Sequence, residues 1–152
     1  MTLLEKMIFR KIEKNDFYKN YIPLLQNLTT VNPEKIDIHT FTTFVEKLND
    51  SHLIYVLEDT INKVVAGTIT LLIEEKIIHD MGKVAHIEDV VVDPKYRGAN
   101  LGKTLVQKVT EIAKNKNCYK IILDCGEHNE EFYTKCQFKR KGLQMAHYFT
   151  HD

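Results

Sequence analysis

The spacing of apolar residues changes period several times along this chain, and each change predicts an element. Residues 7–12 alternate as a short first strand. Asp16 then stands where it would cap a helix carrying Tyr18, Ile22, Leu25 and Leu28, with Pro23 expected to kink it. Asp37 is placed to cap a second helix, in which Ile38, Phe41, Val45 and Leu48 recur at three and four residues as a core-facing stripe. Residues 53–57 and 64–74 are β-branched, alternating runs around a polar connection, the pattern of a long antiparallel hairpin. A third run follows at 84–93. Period two puts Ala85, Ile87, Asp89 and Val91 on one face of it, and His86, Glu88, Val90 and Val92 on the other.

Leu101, Leu105, Val109, Ile112 and Ala113 then give a helical stripe ending near residues 115–117. The run 119–125 is the next strand, 130–136 a short helix bearing Phe132 and Tyr133, and the last strands are expected to include Phe138 and 143–149. A strand after a helix after a strand lies parallel to the first through a right-handed crossover. The meander thus becomes a βαβ unit, and the fold class is α/β: a mixed, mostly antiparallel central sheet with one parallel unit and helices on both faces. No repeat or linker interrupts the order, and residues 1–152 suit one domain.

Charge narrows the function. Lys plus Arg equals Asp plus Glu at 21 each, so no global field recruits nucleic acid or an anionic membrane. With no run of 18 apolar residues and no signal-peptide pattern at the start, the expected location is the cytoplasm, without membrane insertion. The three cysteines, Cys118, Cys125 and Cys136, form no C-x-x-C pair, and the 7 histidines show no ligand spacing. Reduced thiols and no metal are the expectation.

The stretch 87–103 concentrates the candidate chemistry. Val90, Val91 and Val92 end a buried strand, Asp93 and Pro94 stop it, and a small-residue loop leads to a helix start. Unpaired N–H groups and the positive end of the helix dipole there make an anion cradle. Glu88 and Asp89 are carboxylates in an apolar strand, which need partners, solvent or a ligand. Asp124 falls at the carboxyl end of the parallel neighbour, the edge where α/β sheets bind ligands. The adjacent Thr29 and Thr30 could present hydroxyls to a ligand or simply solvate a loop.

The strand, then Arg97, Gly98, Ala99, Asn100, Leu101 and Gly102, then a helix, a parallel strand and a Phe-Tyr helix, resemble the GNAT superfamily of acetyl-CoA-dependent N-acetyltransferases over most of the chain. Five blocks (76–79, 86–90, 118–125, 132–136 and 144–145) are similar, more narrowly, to the branch that acetylates glucosamine 6-phosphate. Asn100 departs from the superfamily pattern, which has glycine there, although Asn tolerates left-handed backbone better than most residues.

The resemblance implies acetyl-CoA as cosubstrate. Its pyrophosphate would lie on the backbone of Gly98, Ala99, Asn100, Leu101, Gly102 and Lys103 beside Arg97, its pantetheine arm along Val90, Val91 and Val92, and further contacts at Asn129, Phe132 and Tyr133. It implies Tyr133 as the group facing the departing thiolate and Asp124 as the carboxylate that orients or deprotonates the amine. Thr29, Lys76, His79, Glu88, Asp89, Tyr119 and Lys120 match positions that hold the phosphosugar. It also implies a homodimer with C-terminal strands at the site. Where some members supply a C-terminal arginine to the phosphate, this chain has Tyr148, so another cation such as His147 or Arg140 substitutes, or the phosphate is held without it. Two other readings stay open: a GNAT enzyme acting on a protein or polyamine amine, and an acyl-CoA-binding module without catalysis. Cys125 beside Asp124 suggests a covalent scheme, but no histidine is fixed next to it, so direct transfer is preferred.

Overall fold

The computed structural model describes residues 1–150. Its five strands, β1 (Met7–Lys11), β2 (His52–Asp59), β3 (Val64–Glu75), β4 (Lys83–Val92) and β5 (Cys118–Ile122), form one sheet in chain order. The first four are antiparallel to their neighbours, and β5 runs parallel to β4. Helices α1 (Tyr21–Leu25) and α2 (Ile38–Lys47) precede β2. The left-handed turn α3 (Ile78–Met81) joins β3 to β4, α4 (Leu101–Asn115) makes the crossover to β5, and α5 (Glu130–Lys135) follows. The expected meander, βαβ unit and two helical layers are all present.

The sheet is buried on both faces, and its strands alternate between two apolar sets. Leu53, Tyr55 and Leu57 join Leu71 and Ile87 under α4, whose Leu101, Leu105, Val106, Val109 and Ala113 face them. Ile54, Val56 and Val65 pack on the other side with Tyr21, Leu24 and Phe41 of α1 and α2. Each fully buried Leu or Val contributes about 1.5–3 kcal/mol relative to exposure, so the two layers fix which face each element covers. Asp37 caps α2 as expected, accepting from the Thr40 N–H at 2.7 Å.

Four expectations need correction. Asp16 caps no long helix: it lies in a 3-10 turn (Lys14–Tyr18), completely buried, where it accepts the Glu13 N–H and a bidentate bond from Arg10. The helix is consequently short, with Pro23 in its first turn, where a missing N–H costs nothing, and Tyr18 is exposed. The period-two assignment of β4 fails past Ile87, because a bulge changes the phase; Val91 faces α1, while Val90 and Val92 join Ile87 on the α4 side. The strand expected over 119–125 stops at Ile122. Finally, 143–149 is no strand in the isolated chain: residues 139–150 are exposed throughout and carry no backbone hydrogen bond to it. A strand needs an edge with which to exchange backbone bonds, and here these groups face solvent.

Candidate active site

The central feature is an interrupted β4. Thr68 pairs with Val91 and Thr70 with Glu88, so β4 places one extra residue opposite β3, and Asp89 takes up the bulge with φ at +49°. Thr68 stabilises the opposite strand: its hydroxyl donates to the Tyr55 carbonyl at 2.9 Å and accepts from the buried Tyr21 hydroxyl at 3.1 Å. On the other side, pairing with β5 ends at His86 and Ile122, while β4 continues to Val92. The backbone edge of residues 87–92 is therefore open toward β5. It offers free N–H and C=O groups to an extended ligand, and the bulge re-aims those near Val91.

From this edge the chain enters the loop that leads to α4. The Asp93 N–H donates to the Ala66 carbonyl at 2.8 Å, and the Asp93 side chain caps the turn Pro94–Tyr96 by accepting from the Lys95 N–H at 2.9 Å. Gly98 (φ +92°) and Asn100 (φ +58°) both adopt left-handed backbone, and α4 starts at Leu101. Asn100 thus performs the conformational task of the expected glycine. Arg97, Gly98, Asn100 and Lys103 are exposed, Ala99 and Gly102 are half-buried, and Leu101 anchors the helix start in the core. Replacing Asn100 by Gly should leave stability nearly unchanged, whereas Asn100→Val should cost about 1–2 kcal/mol, because a β-branched side chain meets the carbonyl in this conformation. Denaturant midpoints check both.

Helix α5 closes one side of the cradle. A side chain on Gly102 would meet Phe132 at 3.3 Å, so α5 lies close against the start of α4. Tyr133 packs edge-on against Phe132 and Phe138, at 4.9 and 6.0 Å between ring centroids. Burial, reinforced by the neighbouring Cys125 and Cys136, pushes its phenol up to about 12. It is a neutral hydroxyl at any working pH. Asn129 is exposed at the end of the 3-10 turn that leads into α5.

Glu88, Asp89 and Asp124 are exposed, and their charges act on one another. Burial, then Asp89 and Asp124, raise the Glu88 carboxyl above the usual range. Among the described residues no hydrogen bond within the chain satisfies Glu88 or Asp89, while Asp124 accepts from Gln144 Nε2 at 3.3 Å. Three carboxylates at the open edge attract an ammonium group.

The cationic candidates gather elsewhere. His79 stacks on Tyr119 with centroids 4.1 Å apart, and Lys120 Nζ lies 5.7 Å from the same ring. The stack requires an unusual turn: His79, Asp80 and Met81 have φ of 54°, 57° and 62°, three successive left-handed residues. Gly82 makes room for it, since a Cβ there would lie 2.8 Å from the His79 carbonyl and 3.0 Å from the Tyr119 ring. Lys76 joins through its N–H to the Gly82 carbonyl at 2.8 Å, but its ammonium is held by Glu74 at 3.1 Å, and Glu74 also bonds His86 at 3.0 Å. This group sits where β4 and β5 begin, beside the pair Lys83 and Cys118. Glu88 is five residues along β4, ~17 Å at strand rise. Along the backbone, the cationic cluster thus lies at the start of β4 and the acidic group past its middle. Thr29 lies on the exposed loop after α1, where residues 26–31 line a shallow open cavity of about 440 Å³.

Residues 15–138 match the Acetyltransferase (GNAT) family. The chain belongs to that family. This GNAT chain is 41% identical over 141 residues to glucosamine 6-phosphate N-acetyltransferase 1 of Dictyostelium discoideum, spanning 92% of this chain and 89% of the relative. The glucosamine 6-phosphate N-acetyltransferase of Arabidopsis thaliana is 39% identical over 150 residues, 97% of this chain and 99% of its own. The crystal structure of the Arabidopsis protein superposes with a TM-score of 0.90 at 38% identity, covering 95% of this chain and 99% of that one. GNAT membership implies use of acetyl-CoA. The free edge of β4, the cradle at α4 and the adjoining α5 are where the family resemblance put that cosubstrate.

One contact escaped the sequence reading: the Tyr96 hydroxyl, just before the loop, donates to Asp59, 37 residues away, at 2.6 Å. Asp59 followed closely by Asn62 has the composition of a turn, but nothing local identifies its distant partner. Among the described residues, no helix is long and apolar enough to cross a membrane, no group of three or more His, Cys, Asp or Glu side chains could hold a metal ion, and all three cysteines are free.

Proposed function

We propose that this chain transfers the acetyl group of acetyl-CoA to the amine of D-glucosamine 6-phosphate, giving N-acetyl-D-glucosamine 6-phosphate and CoA, a step in the supply of UDP-N-acetylglucosamine. The carrying observation is the open edge of β4, with an anion cradle at its far end and a cluster of carboxylates beside its bulge. Near-full-length identity to enzymes of that name supplies the acceptor. Residues 1–152 act as one catalytic domain in the cytoplasm, with no metal.

The amine attacks the thioester carbonyl directly within a ternary complex; the new C–N bond forms, the C–S bond breaks, and the ammonium proton leaves. Asp124, with Glu88 and Asp89, holds the ammonium and receives or relays its proton. A backbone N–H at the bulge, near Val91, donates to the oxyanion. The Tyr133 hydroxyl donates a hydrogen bond to the departing thiolate. Full transfer from a phenol near 12 to a thiol of pKa ~8.5 is uphill, so Tyr133 stabilises the anion rather than protonating it outright. Arg97 and the N–H groups from Gly98 to Lys103 receive the pyrophosphate, Val90 to Val92 pair with the pantetheine arm, and Asn129 and Phe132 flank it.

The phosphate end of the sugar calls for a second copy of the chain. The His79, Tyr119 and Lys120 cluster, with Lys76, sits four to five strand residues before Glu88, ~13–17 Å at strand rise, and in a homodimer each site takes its carboxylates from one protomer and its cation–aromatic cluster from the other. Thr29 contributes a hydroxyl from the loop after α1. Leu143, Met145 and Phe149 are 91%, 92% and 90% exposed on a segment free of backbone pairing, which touches Asp124 through Gln144. Such an arm has the composition to cross to a partner.

Thiol release from acetyl-CoA, followed with glucosamine 6-phosphate, glucosamine and a lysine peptide, tests the acceptor. Turnover is expected with the phosphosugar far above the other two, and none with it sinks the assignment. Sedimentation at micromolar concentration should give a dimer; a species of 17.8 kDa refutes the shared site.

A further inference from the structure

Asp59 is a fully buried carboxylate at the end of β2, in the turn that begins the β2–β3 hairpin. Its oxygens are fully engaged. Oδ1 accepts from the N–H groups of Ile61 at 2.9 Å and Asn62 at 3.1 Å; Oδ2 accepts from Asn62 Nδ2 at 2.7 Å and the Tyr96 hydroxyl at 2.6 Å. Four donors exhaust the four lone-pair positions of a carboxylate. Three of them close the local turn. The fourth reaches across the sequence to the residue immediately before Arg97 and Gly98.

Within the loop after Tyr96, Ala99 rests half-buried against the core while its flanking residues are open to solvent. A Cβ on Gly98 would meet nothing within 4 Å, and Arg97, Gly98 and Asn100 are all exposed. Among the described residues, the Arg97 guanidinium makes no hydrogen bond or ion pair with the rest of the chain. The upstream supports are Asp93, tied to Ala66, and Tyr96, tied to Asp59; the downstream supports are Ala99 against the core and Leu101 within it. An anion cradle made of backbone N–H groups works only if they converge before the anion arrives, because ordering them on binding subtracts from affinity.

We propose that the Asp59–Tyr96 hydrogen bond is a positioning latch that pre-orders the 97–103 loop for the pyrophosphate of the acetyl donor. Neither residue touches the ligand. A charge-assisted bond from a phenol to a buried carboxylate is among the stronger neutral-to-ion contacts, and its acceptor is held rigid by three further bonds. The β2–β3 turn, which has no other part in the site, thereby sets the geometry of the cradle. The inference rests on the acetyl-CoA reading of that loop.

A ligand comparison separates a latch from general destabilisation. In Tyr96→Phe, the KM for acetyl-CoA should rise about 5- to 10-fold with kcat within about 2-fold, a size expected for one charge-assisted hydrogen bond. kcat/KM for S-acetylpantetheine, which lacks the pyrophosphate, should stay at the wild-type value. Asp59→Asn, similar in shape, should show the same selectivity even if it also lowers the unfolding midpoint. Calorimetric CoA binding to the same proteins reads the latch without turnover, so a wrong acceptor assignment would leave this result standing. Equal losses for the two donors, or unchanged CoA affinity in Tyr96→Phe, overturn the proposal; if wild-type protein fails to bind CoA, the cofactor reading itself falls.

Discussion

Tyr133→Phe is expected to lower kcat by roughly 10²-fold while changing acetyl-CoA affinity by less than about 3-fold. The substitution removes one hydroxyl and keeps the ring, whose packing against Phe132 and Phe138 places α5 beside the cradle. Ground-state binding should therefore survive. The lost hydrogen bond is one that strengthens as negative charge collects on sulfur, so the loss falls on turnover. Because burial holds the phenol near 12, the rate should show no limb from Tyr133 ionisation below about pH 10. Unchanged kcat, measured by thiol release under saturating acetyl-CoA, would reassign Tyr133 to packing alone.

Arg10→Met should be the most destabilising single change at a charged residue, by about 3–5 kcal/mol, read from chemical denaturation. The guanidinium binds both oxygens of completely buried Asp16, at 2.9 and 2.7 Å, and also reaches Glu58 Oε1 at 2.9 Å, while Lys19 holds Glu58 Oε2 at 2.8 Å. Removing Arg10 strands a carboxylate that no solvent reaches. The double variant Arg10→Met, Asp16→Asn should recover part of the loss, since the stranded charge goes with it. A cost below about 1 kcal/mol for Arg10→Met would show that the site admits water. The effect should extend to function, because this network pins the turn that leads into α1. That helix carries Tyr21 to the strand opposite the bulge and ends beside the Thr29 loop.

Several parts of the molecule were legible from neighbouring residues. Asp37 and the stripe through Phe41 specify α2 because a cap and a 3.6-residue period are both local properties. The hairpin of β2 and β3, the crossover of α4 and the positive φ at Asn100 follow for the same reason. The GNAT resemblance singled out the loop before α4 and the Phe-Tyr helix α5 because its blocks are short and ordered. Local patterns misled where a distant group took over. Asp16 resembles an N-cap until Arg10 closes on both its oxygens, and strict alternation along β4 holds only until the bulge adds a residue against β3.

By itself the sequence determined the class of fold, the order of its strands, the family and the residue types available for acetyl transfer, since each depends on periodicity or on contiguous motifs. Only the tertiary structure decided how those residues are distributed. The early end of β5 leaves the edge of β4 unpaired past His86, and a buried carboxylate at the start of one hairpin bonds the tyrosine that precedes the loop to another element. It also paired the start of β5 with the start of β4, setting Tyr119 and Lys120 ahead of Glu88 along the sheet, a register that the amino-acid order does not reveal. Pairing register, bulges and contacts between distant residues are set by how the sheet closes around its core, and no window of adjacent residues contains that information.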